Sequence, residues 1–201
     1  MDYKIIFISG LFPKKEKQQI IQNSKGVIQF AADNLQWSIL QGFIENSINP
    51  KVFNLPFIGS YPKRYKSCFI RRSNEKFGST KIENLPFNNF TLYKFLSRYQ
   101  NLRGRLSQEN LFDQVIMIYS MNISFLKAAV DIKRKNNKVK ICLIVPDLPE
   151  FMSDSDNPIY RTLKSIEIYF LNKFLKNVDF FVLLTEQMSI KLNVTKNKYT
   201  V

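Results

Sequence analysis

Residues Val139–Glu150 read VKICLIVPDLPE. Lys140 to Val145 is a near-continuous run of β-branched and apolar residues, the pattern of a parallel strand covered on both faces. Pro146 ends the ladder because it has no N–H to donate. Asp147 therefore stands directly at the strand's carboxyl end. Ligands of open α/β sheets bind in the crevice outside those ends, so Asp147 is the carboxylate expected nearest to any chemistry. The plain alternative is a turn residue or helix cap.

The same rhythm extends outward in both directions. Upstream, Gln114 to Tyr119 reads as a buried strand. Asn122 to Lys135 follows as a helix with Phe125, Ala129 and Ile132 inward. Its last turn holds Lys133, Arg134 and Lys135, which suits the negative end of the helix dipole. Downstream, Pro158 to Lys176 reads as a helix with proline at home in its first turn. A strand over Asp179 to Leu184 and a helix from Glu186 to Leu192 come next. Strands alternating with helices imply crossover units and a parallel sheet.

Towards the start, Lys4 to Ser9 is a first buried strand closing on Gly10, which lets the backbone turn sharply and approach a ligand. No GxGxxG follows. Leu11 to Gly26 is polar and basic and reads as a mobile loop. Gln29 to Glu45 is a helix with Ala32, Leu35, Ile39 and Phe43 on one face, and Trp37 half-buried at that face's edge. Lys51 to Pro56 is a second strand. A helix is expected over Thr91 to Gln100, with Leu92, Phe95, Leu96 and Tyr99 grouped on one side and Thr91 as its start.

Between these lies a basic centre, Gly59 to Gly78. Lys63, Arg64, Lys66, Arg71, Arg72 and Lys76 alternate there with Tyr61, Tyr65, Phe69 and Phe77. Strands are expected at Ser67 to Arg71 and Lys81 to Leu85. Three readings fit: stacking of single-stranded nucleic acid, a grip on a diphosphate at a membrane surface, or a solvated loop-and-hairpin insertion.

Composition narrows the chemistry. The chain has 201 residues, 45% hydrophobic and 23% charged, enough for the core of one large domain or one domain of a longer protein. There is no histidine, which removes Ser-His-Asp and Cys-His mechanisms and most zinc sites. No metal cluster or cofactor is expected. Two cysteines, Cys68 and Cys142, make no disulfide framework and suit a reducing cytoplasm. The net charge of +14 predicts attraction to something anionic: nucleic acid, an inner membrane surface or a phosphate-bearing substrate. No run reaches the ~18 apolar residues of a membrane-spanning helix. The longest apolar stretch, Val115 to Val130, is interrupted by Ser120, Asn122, Ser124 and Lys127.

Four stretches resemble one family, in that family's order: QFAADNLQWSILQG from Gln29, FIGSYPKRYK from Phe57, VPDLPEFM from Val145 and NVDFFVLLTEQMSIKL from Asn177. The chain resembles the N-terminal half of a family 4 glycosyltransferase of the two-domain GT-B type, in the bacterial capsule and exopolysaccharide group. The resemblance spans residues 1 to about 195. It implies an α/β fold, a Rossmann-like parallel sheet flanked by helices, with a basic loop and hairpin inserted. It implies transfer of a sugar from a nucleotide sugar to a growing, lipid-linked polysaccharide precursor.

Residues 1–201 would be the acceptor-side domain. The donor-binding domain, with its glutamate pair spaced E-x7-E, would lie outside them, since Glu150 is followed eight positions on by Pro158 and Glu167 by Leu175. The chain is therefore expected to be inactive alone. The alternative is a non-catalytic acceptor- or membrane-binding subunit, or a truncated remnant, that needs a separate donor-binding chain. On this resemblance Asp147 lies beside the reacting hydroxyl. Ser9 and Gly10 approach the donor phosphates, and Tyr119, Ser120, Thr185 and Glu186 line the same crevice. Tyr119 could instead be packing, and Thr185 only a helix cap. Lys63, Arg64, Lys66, Arg71 and Arg72 would meet the acceptor diphosphate at an anionic membrane. The chain would be cytoplasmic, peripheral at the inner membrane face, and would not bind nucleic acid.

Overall fold

The computed structural model describes residues 4–111, 113–148 and 158–201, with the side chains of 158–164 outside that description. The Pro149 to Met152 part of the third resembling stretch lies outside the described residues. β1 (Lys4–Ser9), β2 (Lys51–Asn54), β3 (Phe69–Ile70), β4 (Ser73–Phe77), β5 (Thr80–Asn84) and β6 (Phe87–Asn88) form the first half. β7 (Gln114–Tyr119), β8 (Lys140–Val145), β9 (Phe180–Leu183) and β10 (Tyr199–Thr200) form the second. The helices are α1 (Lys17–Asn23), α2 (Phe30–Glu45), α3 (Lys94–Leu106), α4 (Ile123–Lys135), α5 (Pro158–Leu175) and α6 (Gln187–Leu192).

The main sheet has eight strands in the order β10-β9-β8-β7-β1-β2-β5-β4. Every neighbouring pair from β10 to β5 is parallel, and only the edge strand β4 is antiparallel. Numbered along the chain, the parallel strands run 3-2-1-4-5-6 with a seventh at the edge, the doubly wound order of a Rossmann-like fold. The chain crosses to one side after β1 and to the other after β7, so the topological switch point lies between those two strands.

Side-chain alternation feeds two cores. Ile6 and Ile8 of β1 join Leu102, Leu106, Phe125, Leu126, Leu171 and Phe174 of α3, α4 and α5. Phe7, between them in sequence, joins Leu40 of α2 on the other face. Period-two alternation in β1 thus serves helices on both sides. Cys142 is buried in β8 as a small hydrophobe, and burial pushes its thiol up to about 11.

One part differs from the expectation drawn from sequence, and two others extend it. Leu11 to Gly26 is not simply a loop. Leu11, Phe12 and Ile20 are buried and α1 forms within it. The cause is the polar inner face of α2. Asp33 accepts the Phe12 N–H at 2.7 Å and the Lys17 Nζ at 2.7 Å, and the Gln36 amide oxygen accepts the Gly10 N–H. The expected hairpin joins the main sheet. β5 pairs parallel with β2 as its third strand, and β4 folds back on β5 through Gly78, at φ 57. Finally, β10 follows a short 3-10 turn at Lys196–Lys198 and adds to β9.

Candidate functional site

β7 and β8 end side by side because their registers match, with Tyr119 opposite Ile144. The next residues, Ser120 on one strand and Pro146-Asp147 on the other, therefore emerge together. They open onto a cleft of about 390 Å³ at the switch point. The loop after β2 contributes Phe57, Gly59 and Arg64 to this cleft, α3 contributes Arg98, and Asn122 comes from the start of α4. Asn122 caps α4, its side chain accepting from the Phe125 N–H.

Ser120 holds a left-handed φ of 70, fixed by its N–H donating to the Ile144 carbonyl at 2.9 Å. A non-glycine residue in that region is strained, and such strain concentrates at functional sites. Tyr119 is buried. Its hydroxyl is pushed up to about 12, first by burial and then by the charge of Asp147. Asp147 is itself exposed, so its carboxylate is open to a ligand while the phenol beside it stays neutral.

The remaining expected site residues divide. Ser9 is fully buried and its Oγ donates to the Asn54 Oδ1 at 3.0 Å, the start of a polar ladder through Asn54 to Asn84. Gly10 has a packing reason to be glycine. A Cβ there would stand 2.4 Å from the Phe57 ring, and it is that ring, stacked at 5.8 Å on Phe125, which faces the cleft. Thr185 and Glu186 are exposed at the carboxyl end of β9, on the same edge of the sheet, but they do not line this cleft.

The basic set is also dispersed. Arg64 lines the cleft. Arg71 and Arg72 line a separate pocket of about 510 Å³ with Glu16 and Tyr65. Lys66 donates to the Gln22 carbonyl at 2.8 Å, and Lys63 is exposed.

Two cations not singled out in the sequence stand here, Arg98 in the cleft and Lys94 in the pocket that adjoins it. Arg98 is 5% exposed, donates to the Leu55 carbonyl and lies 4.9 Å from the Phe125 ring centre. Burial lowers its guanidinium to about 9, which leaves it cationic at neutral pH. Lys94, one turn earlier, donates to the Ile58 carbonyl. Burial first, then Arg98 and Arg64, lower its amine to about 7. The signal for them lay further along the helix: α3 runs on to Leu102 and Leu106, and the residue one turn before Leu102 on that buried face is Arg98.

Arg98 and Asn122 also border a second, mainly apolar pocket of about 690 Å³ between α3, α4 and α5, where Phe95, Ile166 and Phe170 come together. Among the described residues no group of His, Cys, Asp and Glu could hold a metal ion, and no helix is long and apolar enough to cross a membrane. No model of a known protein family matches the chain, and no curated protein sequence matches it.

Proposed function

We propose that this chain is the acceptor-binding domain of a glycosyltransferase, whose donor nucleotide sugar is held by a second domain outside residues 1–201. The observation that carries the reading is the cleft at the switch point of a 3-2-1-4-5-6 sheet, with the exposed Asp147 carboxylate at its rim. A glycosyl transfer needs an acceptor hydroxyl aimed at the anomeric carbon. Asp147 is suited to accept a hydrogen bond from that hydroxyl. The neighbouring Ser120 and Asn122 supply short polar side chains that can orient a sugar ring.

A lipid-linked acceptor and peripheral contact with an anionic membrane belong to the same reading. Leu92, Tyr93, Phe95 and Leu96 at the start of α3 are exposed, as are Ile166, Tyr169 and Phe170 of α5. They flank the apolar pocket, and Arg64 stands at the neighbouring rim. An exposed apolar group of this size beside basic residues fits a lipid surface.

The test is amide chemical-shift mapping with a short-chain prenyl diphosphate-linked monosaccharide. The expected perturbations centre on Ser120, Asn122 and Asp147, and Asp147→Ala weakens binding about tenfold, the loss of one charge-assisted hydrogen bond. Perturbations confined to the Arg71–Arg72 pocket, or none at all, would refute the reading.

A further inference from the structure

We propose that Arg98, Lys94 and Arg64 form a binding site for a phosphate or diphosphate group, seated between the N-termini of α3 and α4. It stands on the geometry of this cluster and does not require the sugar-transfer reading.

The first ground is charge without a counter-charge. Among the described residues, Arg98 has no carboxylate partner. Its Nε is buried without a hydrogen bond, and its Nη2 donates to the Leu55 carbonyl. The rings of Phe57, Phe87 and Phe125, at 5.6, 5.2 and 4.9 Å, soften the charge but do not neutralise it. Lys94 adds a second cation beside it, donating to the Ile58 carbonyl and, among the described residues, with no carboxylate partner. Other inward-reaching cations of this chain are paired: Arg105 with Glu83 and Glu109, Lys127 with Asp131, Lys133 with Asp179. A holding role for Arg98 at the Leu55 carbonyl leaves Lys94 beside it unexplained.

The second ground is the backbone. Lys94 opens α3, whose first turn has no acidic residue, so side chain and helix dipole are both positive there. α4 begins at Ile123; its cap Asn122 takes the Phe125 N–H, which leaves the N–H groups of Ile123 and Ser124 without an acceptor within the helix. The starts of these two 13-residue helices meet at the pocket lined by Lys94, Arg98, Asn122, Ile123 and Ser124, and Arg98 and Asn122 reach from it into the cleft that holds Arg64. An anion with several acceptor oxygens suits these cations together with the Ile123 and Ser124 N–H groups.

The cluster also fixes a pH response. Lys94 faces Arg98 on its own helix and Arg64 across the loop. Lys127 of α4 and Glu167 of α5 line the same pocket, and Asp147 lines the adjoining cleft. Binding of an anion requires Lys94 protonated, so affinity falls as pH rises through neutrality.

The experiment is calorimetric titration of the full chain with inorganic pyrophosphate at pH 6 and pH 8. Arg98→Met is expected to lose about tenfold or more in affinity, one charge-assisted contact at least. Lys94→Met is expected to lose a similar factor at pH 6 and to flatten the difference between the two pH values. Because pyrophosphate titrates equally in both proteins, that flattening isolates the lysine. Lys4→Gln/Lys135→Gln, which removes two positive charges, one more than either single variant, from the other end of the sheet, is expected to change affinity less than about twofold. If Arg98→Met does not fold, Lys94→Met and its pH profile decide the matter.

Absence of binding, equal binding by the variants, or an equal loss in the Lys4/Lys135 control would overturn the site. Geranyl diphosphate and uridine diphosphate, each competed against pyrophosphate, separate a lipid source from a nucleotide source. Competition by neither would also overturn it.

Discussion

At the scale of single residues, Phe57 and Gly10 are one feature. The Phe57 N–H donates to the Gly10 carbonyl at 2.8 Å, and the ring then lies over the glycine where a side chain would stand. The ring in turn stacks on Phe125 and lines the cleft, so its position shapes the binding surface. A glycine after the first strand of an α/β sheet raises the expectation of ligand contact, yet here the close neighbour is an aromatic ring of the same chain. Gly10→Ala is therefore expected to cost about 1–3 kcal/mol, the range for overpacking a filled interior. Leu at position 57 frees the space, so the double variant Gly10→Ala/Phe57→Leu should be more stable than the sum of its single changes. Urea unfolding of the four proteins measures this coupling. Strict additivity would mean that the ring moves aside without cost and that the glycine has another reason to be there.

At the scale of the element, α3 shows why part of the site could not be read in advance. Two stripes compete along it. The apolar set Leu92, Phe95, Leu96 and Tyr99 was expected to group on one side of a helix. In the structure Leu92 is 94% exposed, while Ser97, Arg98, Leu102 and Leu106 are buried. Periodicity assigns the core to the more apolar stripe. It has no means of knowing that Leu102 and Leu106 also meet α4, or that Arg98 finds three aromatic rings. The contrast is α4, where a single apolar stripe, an Asn cap and a basic last turn agree and the expected helix matches within one residue. The buried face of α3 and the exposed turn that leads into it should respond differently to substitution. Leu102→Ala is expected to cost about 2–5 kcal/mol as a core truncation. Leu92→Ser should change stability by no more than about 0.5 kcal/mol, as an exposed change does. Thermal or urea unfolding of the two variants decides it, and a large loss in Leu92→Ser would place that side chain in a packed interface.

At the scale of the whole molecule, the parallel strands β1, β7, β8 and β9 were legible because each is a short apolar run with a turn signal at its end. Asp147 was placed from the end of β8, and Tyr119 and Ser120 were expected beside it on the family resemblance; the register of β7 with β8 brings those three together. Strand order was not legible. It depends on which edges pair after collapse, and β5, which reads as half of a hairpin, pairs with β2 through long-range contacts no local pattern encodes. The same order sets where the molecule is rigid. β1 is paired on both sides by β2 and β7, and β8 on both sides by β7 and β9, while β10 is a two-residue strand at the edge. Opening β10 breaks few contacts, whereas opening β7 breaks the centre of both cores. Native-state hydrogen exchange is therefore expected to give β1, β7 and β8 protection near the global unfolding limit, and Tyr199 and Thr200 exchange on the order of 100-fold faster. Ser120, whose N–H is bonded to Ile144, should exchange with β7 although it lies in a loop. A cleft floored by the slowest-exchanging strands keeps its polar groups in place before a ligand arrives, which lowers the ordering cost of binding. If Ser120 instead exchanged as fast as Thr200, the floor would open independently of the sheet, and the cleft would have to be organised by its ligand.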